Sequence, residues 1–222
     1  IPDTGPVLAL IHKPGQVQSQ VALALSSVPR TNPEYWNISL LTNIFGGSDS
    51  LLYKRLRDDL GLVYGTWFYQ TYKWQTGLLV GYIGCKGDKT ADAVSETMKI
   101  MSALRQEVPA AEFSRKRLDA LNSFVFNVDT KSDLVEVYGR YALRDEPLDT
   151  LDLIQDAFFD ATKADLQRIA GERLVPADIQ ITIVGDKQVP VRQADGTERS
   201  LGLALQDLAL ELGIPFEELP LR

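Results

Sequence analysis

Residues 43–69, NIFGGSDSLLYKRLRDDLGLVYGTWFY, constrain the fold more than any other stretch. They require a helix and a strand joined with almost no slack. The stretch contains Gly46-Gly47-Ser48, two flexible residues followed by a good N-cap. A short helix pattern follows, with Leu51, Leu52 and Leu56 on an apolar side and Lys54, Arg55, Arg57 and Asp58 facing water. Gly61 fits the residue that ends such a helix. LVYGTWFY is rich in aromatic and β-branched residues and reads as a strand. Arg57 then lies in the last helical turn and Tyr64 near the start of the strand, seven residues on. One guanidinium and one phenol at that spacing can point into the same space. From these residues alone the simpler reading is structural: Arg57 meets the negative end of its helix, and Tyr64 is half-buried core.

The rest of the chain alternates strands and helices. Residues 7–11 form a short apolar run before Lys13-Pro14-Gly15, a strand and a turn. Residues 17–26 place Val17, Val21, Leu23 and Leu25 among small or polar residues, as a half-buried strand does. Asn32-Pro33 supplies a cap and a proline for a helix over 34–45, with Tyr35, Ile38, Leu41, Ile44 and Phe45 in the core. Residues 77–85 read as a strand antiparallel to 62–71. Trp67, Tyr69, Tyr72 and Trp74 line a binding wall or, the simpler reading, pack across strands.

Helices follow over 90–107, 110–128, 132–143 and 150–158. In the second, Phe113, Leu118 and Leu121 face inward and Arg115-Lys116-Arg117 form a solvated face. Thr162 and Asp165 resemble a capping box for a further helix containing Leu166, Ile169 and Leu174. Residues 179–184 alternate as a returning strand that closes at Gly185-Asp186. The expected fold class is α+β: one mixed, mainly antiparallel sheet with helices packed on one face. The expected organisation is a domain over 1–186 and an extension of it over 187–222, with a helix at 201–212.

Composition and residue counts narrow the chemistry. A net charge of −7 and a pI near 4.8 disfavour nucleic acid and anionic membranes as partners. No apolar run approaches the ~20 residues of a membrane span. The one cysteine, Cys85, ends an apolar strand pattern and reads as a buried, inert thiol. The one histidine, His12, stands beside Lys13 and reads as a surface residue, and no G-x-S-x-G motif accompanies it. One His and one Cys cannot make the usual zinc sets, and no loop has the D-x-D-x-D-G spacing of a calcium site. Gly46-Gly47-Ser48 lacks the lysine and preceding strand of a phosphate loop. The chain starts Ile-Pro-Asp with neither Met nor a signal peptide, the pattern expected of a processed product or of a cut from something longer.

Leu56-Arg57, then Gly61-Leu62 and Tyr64, together with Gly46-Gly47-Ser48 and the Pro14-Gly15 turn leading to Gln18-Ser19, form a pattern whose likeness extends roughly over residues 16–186. It resembles the C-terminal, non-catalytic half of pitrilysin/insulinase-type zinc metallopeptidases, the family of mitochondrial processing peptidase. Where that family often carries Ser-Arg-Leu, Ser50-Leu51-Leu52 stands here. The family's catalytic zinc is held by His-x-x-Glu-His and a downstream Glu, which a chain with one histidine cannot contain.

The resemblance implies a processing-peptidase/LuxS-like half-unit with no cofactor of its own and zinc in a homologous catalytic half. That half is fused in the same precursor or supplied as a separate subunit. The two close as a dimeric clamshell around an unfolded peptide substrate, in bacterial cytoplasm or periplasm. Arg57 and Tyr64 would support substrate binding and the transition state from this side, and Gly46, Gly47 and Ser48 would line the chamber. Two other readings stand beside this one: a catalytically silent structural or assembly subunit of the same fold, and a free-standing binding domain of unrelated function.

Overall fold

A computed structural model describes residues 5–71, 76–126, 128–192 and 196–220. In chain order the first elements are β1 (Val7–His12), β2 (Gln18–Ser27), α1 (Tyr35–Gly46), α2 (Leu51–Tyr53), β3 (Val63–Gln70) and β4 (Gly77–Lys86). Helices α3 (Thr90–Gln106), α4 (Ala110–Phe126), α5 (Lys131–Leu143), α6 (Thr150–Asp160) and α7 (Lys163–Arg173) follow. The chain ends with β5 (Gln180–Gly185), the short hairpin β6 (Pro190–Arg192) and β7 (Glu198–Ser200), α8 (Leu201–Leu212) and β8 (Phe216–Leu219).

Six strands make one sheet in the order β3-β4-β2-β5-β1-β8. The ladders from β3 to β5 are antiparallel, whereas β1 runs parallel to both β5 and β8. Strand β2 explains why one face is covered. Ser19, Val21, Leu23 and Leu25 are buried while Gln18, Gln20, Ala22 and Ser26 are exposed, the period-two pattern of a sheet with one wet face. In register, Val21 lies between Ile83 of β4 and Ile183 of β5, and Ile183 lies beside Leu10 of β1. These apolar rows carry the helices. The class is therefore α+β, with a mostly antiparallel sheet and helices on one side.

Helix α1 is the central rod. Tyr35, Ile38, Leu41, Ile44 and Phe45 are all buried, as their spacing predicts. Its first helical residue is Tyr35, and Asn32 serves the turn before it, accepting the Glu34 N–H through Oδ1 at 2.8 Å. Helix α3 buries Val94, Met98, Met101 and Leu104. Helix α5 starts at a complete capping box of Thr130 and Asp133.

Helix α4 departs from its expected orientation. Leu118 is 58% exposed and Lys116 only 8%. The reason lies in the ends of neighbouring helices, whose last carbonyls lack intrahelical donors. Lys116 donates to the Ser48 carbonyl just beyond α1, and Arg117 donates to the Phe158 and Phe159 carbonyls in the last turn of α6. Cations also suit the negative ends of helix dipoles. The basic triplet is a set of helix-end donors, not a solvated face. No helix among the described residues is long and apolar enough to cross a membrane.

Candidate functional site

The site is built from α2 to the start of β3. Ser50 caps α2, its hydroxyl accepting the Tyr53 N–H at 3.2 Å. The expected cap at Ser48 is thus displaced by two positions, because Asp49 takes a positive φ of 49° and turns the chain after it. Helix α2 does not continue as a regular α-helix: residues Lys54–Asp59 form a π-helix, a widened turn that holds one extra residue. Leu52 and Leu56 stay buried on its inner side. Gly61 ends the element at φ 59°, the left-handed conformation that favours glycine. The last bonds run from Leu60 N–H to the Arg55 carbonyl (3.2 Å) and from Leu62 N–H to the Leu56 carbonyl (2.8 Å). The first reaches back five residues and the second six, where an α-helical bond reaches back four.

Tyr64 owes its direction to a second one-residue insertion. In the β3–β4 ladder Val63 faces Cys85 and Gly65 faces Gly84, leaving Tyr64 as the extra residue of a β-bulge. A strict alternation would put residues 64 and 67 on opposite faces. The bulge resets it, so that Tyr64, Trp67 and Tyr69 all avoid the helix-covered face, while Val63, Thr66, Phe68 and Gln70 are buried. Tyr64 is 48% exposed and is not core. Trp67 stacks on its register partner Tyr82 at 5.3 Å and 19°, and lies 5.0 Å from the Tyr69 ring. Trp67 and Tyr69 are thus packed against neighbours yet still partly open to solvent. Tyr72 and Trp74 lie outside the described residues.

Arg57 is exposed in the last π turn, with its guanidinium 5.8 Å from the Tyr53 ring centre. Among the described residues neither the Arg57 guanidinium nor the Tyr64 hydroxyl is hydrogen-bonded or ion-paired to the chain. No hydrogen bond or ring contact joins Arg57 to Tyr64 either. Both polar ends remain available on either side of the Gly61 turn. Tyr53 and Tyr82 are the partners the sequence reading missed. Tyr53 stands one helical turn before Arg57, and that spacing was the available signal.

The loop with Gly46, Gly47 and Ser48 is anchored, not slack. A Cβ on Gly46 would sit 2.2 Å from Phe68 Cβ and 2.8 Å from the Phe68 backbone nitrogen, and one on Gly47 would sit 2.7 Å from Asn43 Oδ1. These glycines answer to close packing, not to flexibility. From α4, Lys116 holds the Ser48 carbonyl. Arg115 holds both the Asp49 carbonyl (2.8 Å) and the Asp49 carboxylate (2.7 Å). Glu112 fixes Arg115 and Lys54 in turn, at 2.5 and 3.0 Å. Burial pushes the Glu112 carboxyl up, but hydrogen bonds from Arg115 and Lys54 and their charges outweigh it and hold the group below the ordinary carboxylate range.

The described His12 and Cys85 do not join in a zinc set. His12 is half-buried, with Nδ1 accepting the Lys187 N–H at 3.2 Å and lying 3.7 Å from Asp186. Cys85 is fully buried, and burial pushes its thiol up to about 11, which makes it inert. Among the described residues no group of three His, Cys, Asp or Glu side chains is placed to hold a metal.

With this geometry in hand, comparison places the chain among known proteins. The family model described as the peptidase M16 inactive domain matches residues 1–118. No curated protein matches the chain in sequence. Among solved structures, the peptidase M16 inactive domain from Pseudomonas fluorescens superposes with a TM-score of 0.74 at 18% identity, covering 82% of this chain and 44% of that one. A protease from Helicobacter pylori gives 0.75 at 21% identity, with 83% and 45% covered. A chain of complex III2 from Candida albicans, Inz-5 bound, gives 0.67 at 14% identity, with 82% and 46% covered. These likenesses establish the fold. The chain spans less than half the length of each of the three.

Proposed function

Because the chain belongs to the family of peptidase M16 inactive domains, we propose that it is the non-catalytic, substrate-binding half of a clamshell zinc metalloendopeptidase acting on unfolded peptides. The zinc and its ligands belong to a homologous partner half. This half supplies Arg57 and Tyr64 across the interface, with the Gly46–Ser48 loop lining the chamber. One observation carries the reading. The two polar side chains that the family pattern singles out are exposed and, among the described residues, unbonded, and a β-bulge turns Tyr64 onto the uncovered side of the sheet. A phenol held in the core could not serve a bound chain.

The chemistry follows from the side chains. Arg57 offers a planar fork of donors to a peptide carbonyl or carboxylate. The Tyr64 hydroxyl can donate to a carbonyl oxygen as negative charge develops on it, and losing one such donor costs on the order of 100-fold or more in rate. The exposed Trp67 and Tyr69 beside it offer apolar area to an unfolded chain.

A second reading, a catalytically silent assembly subunit, is favoured by the likeness to a chain of the multi-subunit complex III2. Mixing this chain with a partner half bearing His-x-x-Glu-His separates the two. Peptide hydrolysis is measured for wild type, Arg57→Ala and Tyr64→Phe, with assembly followed by gel filtration. The substrate-binding reading expects both substitutions to remove most activity while assembly persists. Activity indifferent to both would leave the assembly role.

A further inference from the structure

A cavity lies on the helical side of the molecule, between α1, α4, α5 and α6 and away from the open sheet face. It holds about 650 Å³, within the range of small-molecule sites. Its lining runs against the charge of the chain as a whole. In a protein of net charge −7, four cations line it, Arg30, Lys116, Arg140 and Arg144, against one lining carboxylate, Asp119. The same lining carries an apolar and aromatic wall of Trp36, Ile154 and Phe158, with the Arg30 guanidinium 4.4 Å from the Trp36 ring.

Most of these charges are already compensated. Arg30 bonds Glu146 at 2.8 Å, Arg144 lies 3.9 Å from the same carboxylate, and Arg140 lies 3.8 Å from Glu136. Lys116 is the exception. It is more than nine-tenths buried, and its ammonium donates to one neutral acceptor, the Ser48 carbonyl. None of the described carboxylates forms an ion pair with it. Asp49, Glu112 and Asp119 act on it only through space, and all three are engaged by Arg115. An ammonium has three donors, so two remain without a partner among the described residues. Burial, and then the neighbouring Arg115, push Lys116 below the usual lysine value. A buried cation without a counter-ion is costly, and an anion entering the cavity would relieve that cost.

We propose that this cavity is a binding site for a small organic carboxylate with an aromatic or aliphatic body. The carboxylate meets the free N–H bonds of Lys116, and the body lies against Trp36, Ile154 and Phe158. A bare inorganic anion would leave that apolar wall unused. Because Lys116 also holds Ser48, occupancy of the cavity bears directly on the anchor of the Gly46–Ser48 loop. The carboxylate can belong to a free acid or to the C-terminal residue of a peptide.

Calorimetric titration of the 222-residue chain with 3-phenylpropionate, against its neutral amide, tests the charge requirement. N-acetyl-Ala-Phe with a free or an amidated C-terminus tests the source. The acid is expected to bind at least tenfold more tightly than the amide. Lys116→Met, with a similar stem and no charge, should weaken the acid at least tenfold while leaving the circular dichroism spectrum unchanged. Leu151→Trp, which enlarges a lining side chain and leaves residue 116 unchanged, should block binding and provides a second test should Lys116→Met fold poorly. Binding of the free peptide acid as well as phenylpropionate identifies a peptide C-terminus as the ligand class, and binding of phenylpropionate alone identifies a free acid. Equal affinity for acid and amide, no binding of either, or acid binding that survives Leu151→Trp overturns the proposal.

Discussion

Gly46→Ala distinguishes packing from flexibility at the site loop, because the two accounts predict opposite signs. If the glycine served only to loosen the chain, alanine at the end of a helix would stabilise the fold by about 0.5–1 kcal/mol through helix propensity and a less entropic unfolded state. The structure predicts the reverse. The added Cβ would lie 2.2 Å from Phe68 Cβ, 2.8 Å from Phe68 N and 3.0 Å from Phe68 Cα. Two of these are backbone atoms of β3, so no rotamer change relieves the clash, and α1 and β3 must separate. Overpacking of this kind costs about 1–3 kcal/mol, here near the upper end because backbone must move. Subtracting about 1 kcal/mol for propensity leaves a net loss of about 2 kcal/mol. For a chain of this size that is a fall in Tm of about 4–8 °C. Gly139 in α5 and Gly171 in α7 are the controls, since a Cβ there meets nothing within 4 Å and neither has a positive φ. Alanine at either should raise Tm by about 1–4 °C. Differential scanning calorimetry on the three variants suffices. A Gly46→Ala protein as stable as wild type, with the controls behaving as expected, would refute the close-packing account of the loop.

Two further predictions concern charge. Arg30 Nε and Glu146 Oε1 are 2.8 Å apart and nearly buried, with the guanidinium also 4.4 Å from the Trp36 ring. Glu146→Gln keeps the shape but removes the charge that faces this cation, and urea unfolding should show a loss of about 3 kcal/mol; a loss under about 1 kcal/mol would mean that the other contacts of Arg30 hold it without the Glu146 charge. Asp186 is pulled below the ordinary carboxylate value by the N–H groups of Gln188 and Gly15, burial opposing and His12 adding a smaller share. A depressed folded value gives stability that is present above the unfolded value near about pH 4 and lost as pH falls through the folded value. The Tm gap between wild type and Asp186→Asn should therefore be widest near neutrality and close below about pH 4, and a constant gap would exclude this linkage.

Much of the fold was legible because its signals are periodic. The two-residue alternation of β2 and the helical spacing of Ile38, Leu41, Ile44 and Phe45 each follow from burying one face. Gly61 was legible because a left-handed C-terminal residue favours glycine. The orientation of α4 was not. Leu118 and the Arg115-Lys116-Arg117 triplet invite an apolar-in assignment, and only the tertiary arrangement shows that carbonyls at the ends of α1 and α6 require the triplet inward. Ser48 and Ser50 are both good caps locally, and the positive φ of Asp49 decides between them.

The π-helix and the β-bulge share a property that makes them invisible to pattern reading. Each adds one residue to a regular element without changing which residues are apolar. Leu52 and Leu56 face inward in an α-helix or a π-helix alike, and Val63 and Phe68 are buried on either side of the bulge. What the insertions change is the direction of the polar residues between those anchors. A regular helix followed by a regular strand would turn Tyr64 away from the face of Trp67 and Tyr69. With the bulge, all three share the uncovered side, and Arg57 rides the widened turn just before Gly61. Widened turns and bulges give up regular hydrogen bonding and persist where a side chain must be re-aimed. Arg57 belongs to the first insertion and Tyr64 to the second, and among the described residues neither polar end is bonded to the chain, which is the arrangement that the proposed role toward a group outside the chain expects.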